Sequence, residues 1–204
     1  MAEVARRMMA TKAFLLVTIL LCAFISHGCG VVDVRQDVER IEIASAVFLT
    51  LPRAEDLTES FNATQVIDVV YDERSYSFQV QFELRPGRIT IAAVNLWGGT
   101  LFSVTYDGIA LRAQSLIDTE GVNAEYLLAD VLLTFWDSEW VSARLQGAVL
   151  KVSQIDGSRT ISRRGEPVIE ISYETTDPWV GRTRFTHVER GYFLDIRTVE
   201  ISSS

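Results

Sequence analysis

Cysteine is nearly absent from this chain: of 204 residues only Cys22 and Cys29 carry a thiol, and both precede residue 30. No disulfide framework staples the body of the fold, which must be held by burial and hydrogen bonding. Histidine is equally scarce, at His27 and His187. One histidine and no spare cysteine beyond the N-terminus exclude a Cys/His zinc site of the usual kind. Positive charge is short as well. Lys and Arg number 19 against 27 Asp and Glu, a net of −8, and the only lysines are Lys12 and Lys151. An acidic surface with no basic stripe repels phosphate backbones, so no nucleic-acid partner is expected. There is no G-x-S-x-G, no Walker loop and no H-E-x-x-H, and neither a cofactor nor a metal is expected. Asp130, Asp137 and Glu139 lie close together near a helix end, where paired carboxylates could do acid–base work. The commoner meaning of such a cluster is a solvated helix terminus, and a histidine base at His187 lacks a nucleophile to serve. The expectation is a protein that is not an enzyme.

What is present is apolar. Hydrophobic residues make up 48% of the chain and charged ones 23%, ordinary for a globular protein with a real core. The length suits one sizeable domain or two small ones.

Residues 1–12 carry Arg6, Arg7 and Lys12, and 13–25 are uncharged and apolar. That run is shorter than the roughly 18 residues expected of a spanning helix. A basic start, a short greasy middle and small residues beyond form a secretory signal pattern, with a retained short anchor as the alternative. Removing 1–28 leaves a body with a net charge of about −10. Next comes Ser26-His27-Gly28-Cys29, which resembles the lipobox of bacterial lipoproteins. Gly28 and Cys29 match; Ser26 and His27 depart from the usual leucine and small residue. The resemblance implies that Cys29 is acylated and becomes the mature N-terminus, the alternative being a free thiol. Three acyl chains at roughly 0.8 kcal/mol per buried CH₂ make such an anchor effectively permanent. Gly30 in the next position implies, by the same resemblance, delivery to the outer membrane. Residues 29–45 are then expected as a lipidated tether, although 30–43 fit tether, early strand or short helix.

The most legible stretch is 75–107. In 75–84 the polar residues Ser75, Ser77, Gln79, Gln81 and Glu83 alternate with Tyr76, Phe78, Val80, Phe82 and Leu84, which puts one apolar face on a strand. Pro86-Gly87, Gly98-Gly99 and Asp107-Gly108 separate further apolar runs at 88–97 and 100–106, and such pairs suit tight hairpins. The pattern predicts an antiparallel meander. The apolar run 46–51 stops at Pro52, a loop is expected at 53–62, and strands are also predicted at 64–71 and 109–116. Asn123 can cap a helix whose broad apolar side includes Tyr126, Leu127, Leu128, Val131, Leu132, Leu133 and Phe135. Trp136, Trp140, Val141 and Leu145 extend it through a second helical turn or a loop. Strands resume at 149–155, 158–163, 167–174, 182–189 and 192–201, with a loop at 176–181. The sum is a single α+β domain over 46–204, with about ten strands and one main helix.

Several motifs carry a further resemblance: Arg88-Ile89-Thr90-Ile91, Asn95-Leu96-Trp97-Gly98-Gly99, Tyr106-Asp107-Gly108, Tyr126-Leu127-Leu128-Ala129-Asp130, then Trp136 and Leu145-Gln146-Gly147. Over about 51–147 the chain resembles an uncharacterised family of bacterial lipoproteins often encoded beside aryl-polyene biosynthesis genes. More distantly it is similar to the outer-membrane lipoprotein receptor LolB. The resemblance implies an incomplete, half-open antiparallel β-barrel with a helical lid, of the LolA/LolB kind, around an apolar cavity for acyl chains. It implies a lipid-anchored protein on the periplasmic face of the outer membrane. The expected partners are a membrane lipid or acyl-chain ligand and other envelope or lipoprotein-trafficking proteins. The cavity-lining residues it points to are Tyr76, Phe78, Val80, Phe82, Phe102, Val104, Tyr106, Leu127, Val131 and Phe135. Leu96 and Trp97 correspond to an apolar hairpin tip that enters the bilayer, with burial of Trp97 in the core as the alternative. A structural or assembly lipoprotein with a filled core and protein partners is the competing expectation.

Overall fold

The computed structural model describes residues 32–95, 99–115, 123–153, 155 and 157–203. The leader 1–28, the lipobox Cys29 and the hairpin-tip pair Leu96 and Trp97 lie outside the described residues. From the N-terminus the elements are β1 (Val32–Asp37), β2 (Arg40–Ala44), β3 (Val47–Thr50), a 3-10 turn (Ala54–Asp56), β4 (Phe61–Tyr71), β5 (Arg74–Arg85), β6 (Arg88–Val94), β7 (Thr100–Tyr106) and β8 (Ala110–Ser115). Two helices follow, α1 (Ala124–Phe135) and α2 (Ser138–Arg144). The rest is β9 (Leu145–Gln146), β10 (Val149–Ser153), β11 (Ser158–Arg163), β12 (Glu166–Tyr173), β13 (Arg182–His187) and β14 (Tyr192–Ser203).

The strand set is richer than the sequence pattern predicts. Segment 29–45, expected as a tether, is strand from Val32 onward: β1 pairs with β8 and β2 with β3. The expected loop at 53–62 contains the 3-10 turn and the first residues of β4. The alternating segment forms β5, and its even positions do share one face. Phe82 and Leu84 are buried there while Gln81 is exposed.

Among the described residues eleven strands form one antiparallel sheet in the order β1-β8-β7-β6-β5-β4-β14-β13-β12-β11-β10. The long pairing of β4 with β14 stitches the N-terminal meander to the C-terminal one. β1 and β10 end the order and do not pair with each other, so the sheet is open. It is also strongly curled. β8 and β11 stand eight steps apart in that order, about 38 Å on a flat sheet at roughly 4.8 Å per step. Both nevertheless meet α1, a helix about 18 Å long: β8 packs against it, and Arg159 of β11 hydrogen-bonds its last turn. The sheet therefore wraps round the helix as an open half-barrel. No helix among the described residues is long and apolar enough to cross a membrane.

A small sheet, β2-β3-β9, closes part of one end. Ile41, Ile43, Val47 and Leu49 enter the core from it. Polar bonds from the large sheet fasten it. His187 Nε2 donates to Ile43 O at 2.7 Å, Glu189 accepts from Ser45 N at 2.7 Å, and Arg163 donates to Ser45 O. Tyr106 donates its hydroxyl to Pro52 O at 2.9 Å, and burial pushes that phenol up to about 12.

Gly147 joins β9 to β10 with φ +82°, and a Cβ there would stand 2.1 Å from Ala46 O. Left-handed backbone and a clash with main chain leave no inexpensive adjustment. Gly147→Ala should lower the unfolding free energy by about 2 kcal/mol or more, measured by urea denaturation. Unchanged stability would contradict this close approach of the two sheets.

Candidate functional site

The site is built around α1. Its N-terminus is capped as the sequence indicates: Asn123 Oδ1 accepts from Glu125 N at 2.8 Å and from Tyr126 N at 3.2 Å. Its C-terminus has neither a capping glycine nor a basic residue in the last turn. Arg159 takes that role from across the barrel, with Nη1 at 3.0 Å from Leu133 O, 3.3 Å from Thr134 O and 2.7 Å from Trp136 O. Tyr173 adds its hydroxyl to Thr134 O at 2.6 Å, and burial pushes that phenol up to about 12. A buried guanidinium at the negative end of the helix dipole answers carbonyls that would otherwise be orphaned. Sequence reasoning missed Arg159, although it shares an inward-facing parity with Ile161 on β11.

The inner face of the sheet changes character along its strands. Phe82 is 2% exposed and Val80 5%, whereas Phe78 is half-buried and Tyr76 is 43% exposed. Neighbouring strands repeat the trend. Tyr76 lies opposite Val69 and Val69 opposite Leu194, both half-buried, while Phe185, opposite Leu194, is fully buried. The apolar face thus runs on past the point where the core stops. Of the residues expected to line a cavity, Val80, Phe82, Phe102, Val104, Tyr106 and Phe135 are buried in the core. Phe78, Leu127 and Val131 are half-buried, and Tyr76 stands at the uncovered end.

In the filled part sits Trp179, which sequence reasoning left in a loop. Its ring stacks on Phe135 at 4.1 Å and meets Phe61 at 4.7 Å and Phe82 at 4.9 Å. The turn expected to present Leu96 and Trp97 is closed at its base by Asn95, whose N donates to Gly99 O and whose Oδ1 accepts from Gly99 N, each at 2.9 Å. A separate open cleft of about 440 Å³ lies between α2 and β10 and is lined by Ser138, Glu139, Ser142, Ala143, Leu150 and Val152. It contains none of the residues expected to line a cavity, and of the three carboxylates singled out in the sequence it holds Glu139 alone.

The carboxylates do not form the expected cluster. Asp137 caps α2, accepting from Glu139 N at 2.9 Å and Trp140 N at 3.0 Å. Asp130 is buried rather than solvated, and its Oδ2 accepts from Tyr192 Oη at 2.6 Å. Burial raises the Asp130 carboxyl to about 7, against smaller lowering effects of the Tyr192 bond and the Arg190 charge. His187 is fully buried, and Arg190 N donates to its Nδ1 at 3.2 Å, which fixes the proton on Nε2. Desolvation lowers its pKa. Both groups are integral to packing.

Arg159→Met should cost about 3 kcal/mol, because Leu133 O and Trp136 O lose their donor and Thr134 O keeps only Tyr173; urea unfolding with far-UV circular dichroism measures it. The buried carboxyl gives a pH signature. A folded pKa of about 7 against an ordinary 3.8 means that the Asp130 contribution is whole below about pH 4 and is lost as pH rises through 7. The lowered pKa of His187 acts the other way, its contribution being whole above its ordinary 6.5 and lost on acidification. Asp130→Asn removes the first effect alone. The difference in Tm between variant and native chain should therefore move in favour of the variant as pH rises from about 4 to about 7. A pH-independent difference would contradict the buried acid.

No curated protein matches the chain. Among solved structures it is similar to a LolA superfamily protein from Nitrosomonas europaea, at 12% identity and a TM-score of 0.46 over 74% of this chain and 90% of that one. It is also similar to a domain assigned to an outer membrane lipoprotein-sorting protein from Vibrio parahaemolyticus, at 10% identity and a TM-score of 0.44, over 72% and 86% respectively. Residues 62–200 match the family described as Protein of unknown function (DUF3261), and with well over half of its length inside that match the chain belongs to this family.

Proposed function

We propose that this protein is an envelope lipoprotein, anchored in the outer membrane through an acylated Cys29 and facing the periplasm. On this reading it shelters an acyl or polyene chain, or the lipid of another lipoprotein, on the uncovered part of its inner face. The observation that carries the reading is the apolar row that outruns the core, from buried Phe82 and Val80 through half-buried Phe78 to exposed Tyr76. Strands facing water ordinarily alternate with polar residues on the wet side. Here the inward positions stay aromatic or aliphatic where none of the described residues covers them fully. Leu127 and Val131 on the first turns of α1 supply half-buried apolar surface of the same kind. A hydrocarbon chain placed there leaves water at roughly 25 cal/mol per Å², and the bilayer offers it an equally apolar destination. Leu96 and Trp97, at the turn based on Asn95, are the proposed contact with that bilayer. No chemical step is proposed, and the partners are the ligand, the membrane and other envelope or trafficking proteins.

A competing reading, a structural lipoprotein with protein partners, draws support from the packing of Trp179 against Phe61, Phe82 and Phe135, which fills the middle of the half-barrel. Ligand binding separates the two. Delipidated protein lacking 1–28 should take up straight-chain fatty acids, with affinity rising about fourfold for each added CH₂. Phe78→Asp should weaken uptake at least tenfold while leaving the circular dichroism unchanged. Absence of uptake by the native chain would sink the lipid-binding reading in favour of the structural one.

A further inference from the structure

Beside the exposed apolar row lies an arginine that forms no ion pair among the described residues. Arg190 sits in the turn between β13 and β14, where the bond from its main-chain N to His187 Nδ1 and a bond from Gly191 N to His187 O at 2.9 Å fix the backbone. Its guanidinium donates from Nη2 to Glu42 O at 2.7 Å and lies 3.3 Å above the Tyr126 ring centroid. A main-chain carbonyl and a ring face hold the group in place, beside the Tyr192 phenol on which its charge acts, and neither neutralises it. Among the described residues Arg190 forms no ion pair within 4.0 Å. The carboxylates nearby are otherwise committed. Glu189 pairs with Arg163 at 2.8 Å and accepts from Ser45 N. Asp130 is occupied by Tyr192, and burial keeps it largely protonated in mildly acidic solution.

The surroundings connect this cation to the apolar row. Tyr126 immediately precedes Leu127 on α1. Tyr192 shares its face of β14 with Leu194, which leads across Val69 to Tyr76. An arginine with five donors, one of them on the Glu42 carbonyl, is suited to a planar or tetrahedral anion. Desolvated on one side by Tyr126, it gains more from such an anion than an arginine in open water does.

We propose that Arg190, held by Tyr126 and the Glu42 carbonyl beside Tyr192, binds the anionic head of an amphiphile, a carboxylate or phosphate, whose hydrocarbon chain lies along Leu194, Val69, Phe78 and Tyr76. This rests on the reading that the uncovered inner face holds a hydrocarbon chain, and it narrows the ligand to a singly headed anionic lipid.

The test compares decanoate, decyl phosphate and decanol in mildly acidic buffer, by calorimetry on the delipidated chain lacking 1–28. The anionic probes should bind about tenfold more tightly than the alcohol. The stronger of the two identifies the head as fatty-acid or phosphate in kind. Arg190→Gln should abolish the preference while leaving decanol binding in place, and Arg190→Lys should keep part of it. Added salt should weaken the anions but not the alcohol, a result that holds for the native chain even if Arg190→Gln does not fold. Equal binding of alcohol and anions by the native chain, or a preference that survives in folded Arg190→Gln, overturns the proposal and leaves the lipid-binding reading standing. If decanol and both anions fail to bind, that reading falls and this one with it.

Discussion

A buried guanidinium at the end of a buried helix is the contact on which this architecture turns. An open sheet of eleven strands has no closing hydrogen bonds to set its curvature, so something inside must set it. Arg159 reaches from β11 to three carbonyls at the end of α1, while β8, far along the sheet, packs on the same helix. The helix acts as a spindle pinned at both flanks. Polar bonds are well suited to pinning because their geometry is directional, whereas apolar contacts alone would let a helix slide along a greasy surface. Removing the arginine would take the donor from Leu133 O and Trp136 O in an apolar interior and leave Thr134 O to Tyr173, the circumstance in which unmade hydrogen bonds weigh most.

The strands were the legible part of the sequence, and the reason lies in their period. Alternation over 75–84 and the turn pairs Pro86-Gly87 and Asp107-Gly108 are local signals; β5 and β7 follow them within a residue, and β6 starts where expected and ends at Val94, three residues before the apolar run does. The N-terminal segment was less legible. Val32–Asp37 carries charges at alternate positions because it forms an edge strand, and in a sequence such a strand looks like a solvated tether. Long-range polar partners were not legible at all. Asp130 and Tyr192 are 62 residues apart and Arg159 and Leu133 are 26 apart, and no spacing rule links them. Asp130 and Asp137, close enough in sequence to suggest a carboxylate pair, point to different jobs because the chain turns between α1 and α2 at Trp136. Trp179 was hidden for a related reason. Its loop, bounded by Pro178 and Gly181, has turn chemistry, and nothing local signals that the indole returns to Phe135.

The proposed lipid site and its rim follow from how unevenly the half-barrel is filled. The small sheet is bonded to β11 and to the β13–β14 turn through Arg163, His187 and Arg190, so that side is sealed. The β4–β5 hairpin, the longest in the sheet, extends without an equivalent cover, and Val70, Tyr71 and Tyr76 are exposed there. A sealed flank carrying the polar network beside an open apolar flank is the division an amphiphilic ligand requires. The polar half is rigid because it also fastens the two sheets together, so a charged head would meet a preorganised partner and lose little on ordering it.

An open sheet leaves two edges, and each is charged. The outer strand β1 carries Asp33, Arg35 and Asp37. The other, β10, carries Lys151 between Val149 and Val152, and it is the one lysine of the chain beyond residue 28. A lysine on an exposed edge discourages pairing with another strand, because desolvating the ammonium costs more than the added ladder bonds return. That protection matters more here than in a closed barrel, since closure would remove the edges but would also leave no gap for α1 to be held across. The apolar mouth has a different origin: Tyr76 lies on β5, in the middle of the strand order, where the long β4–β5 hairpin runs on past the core.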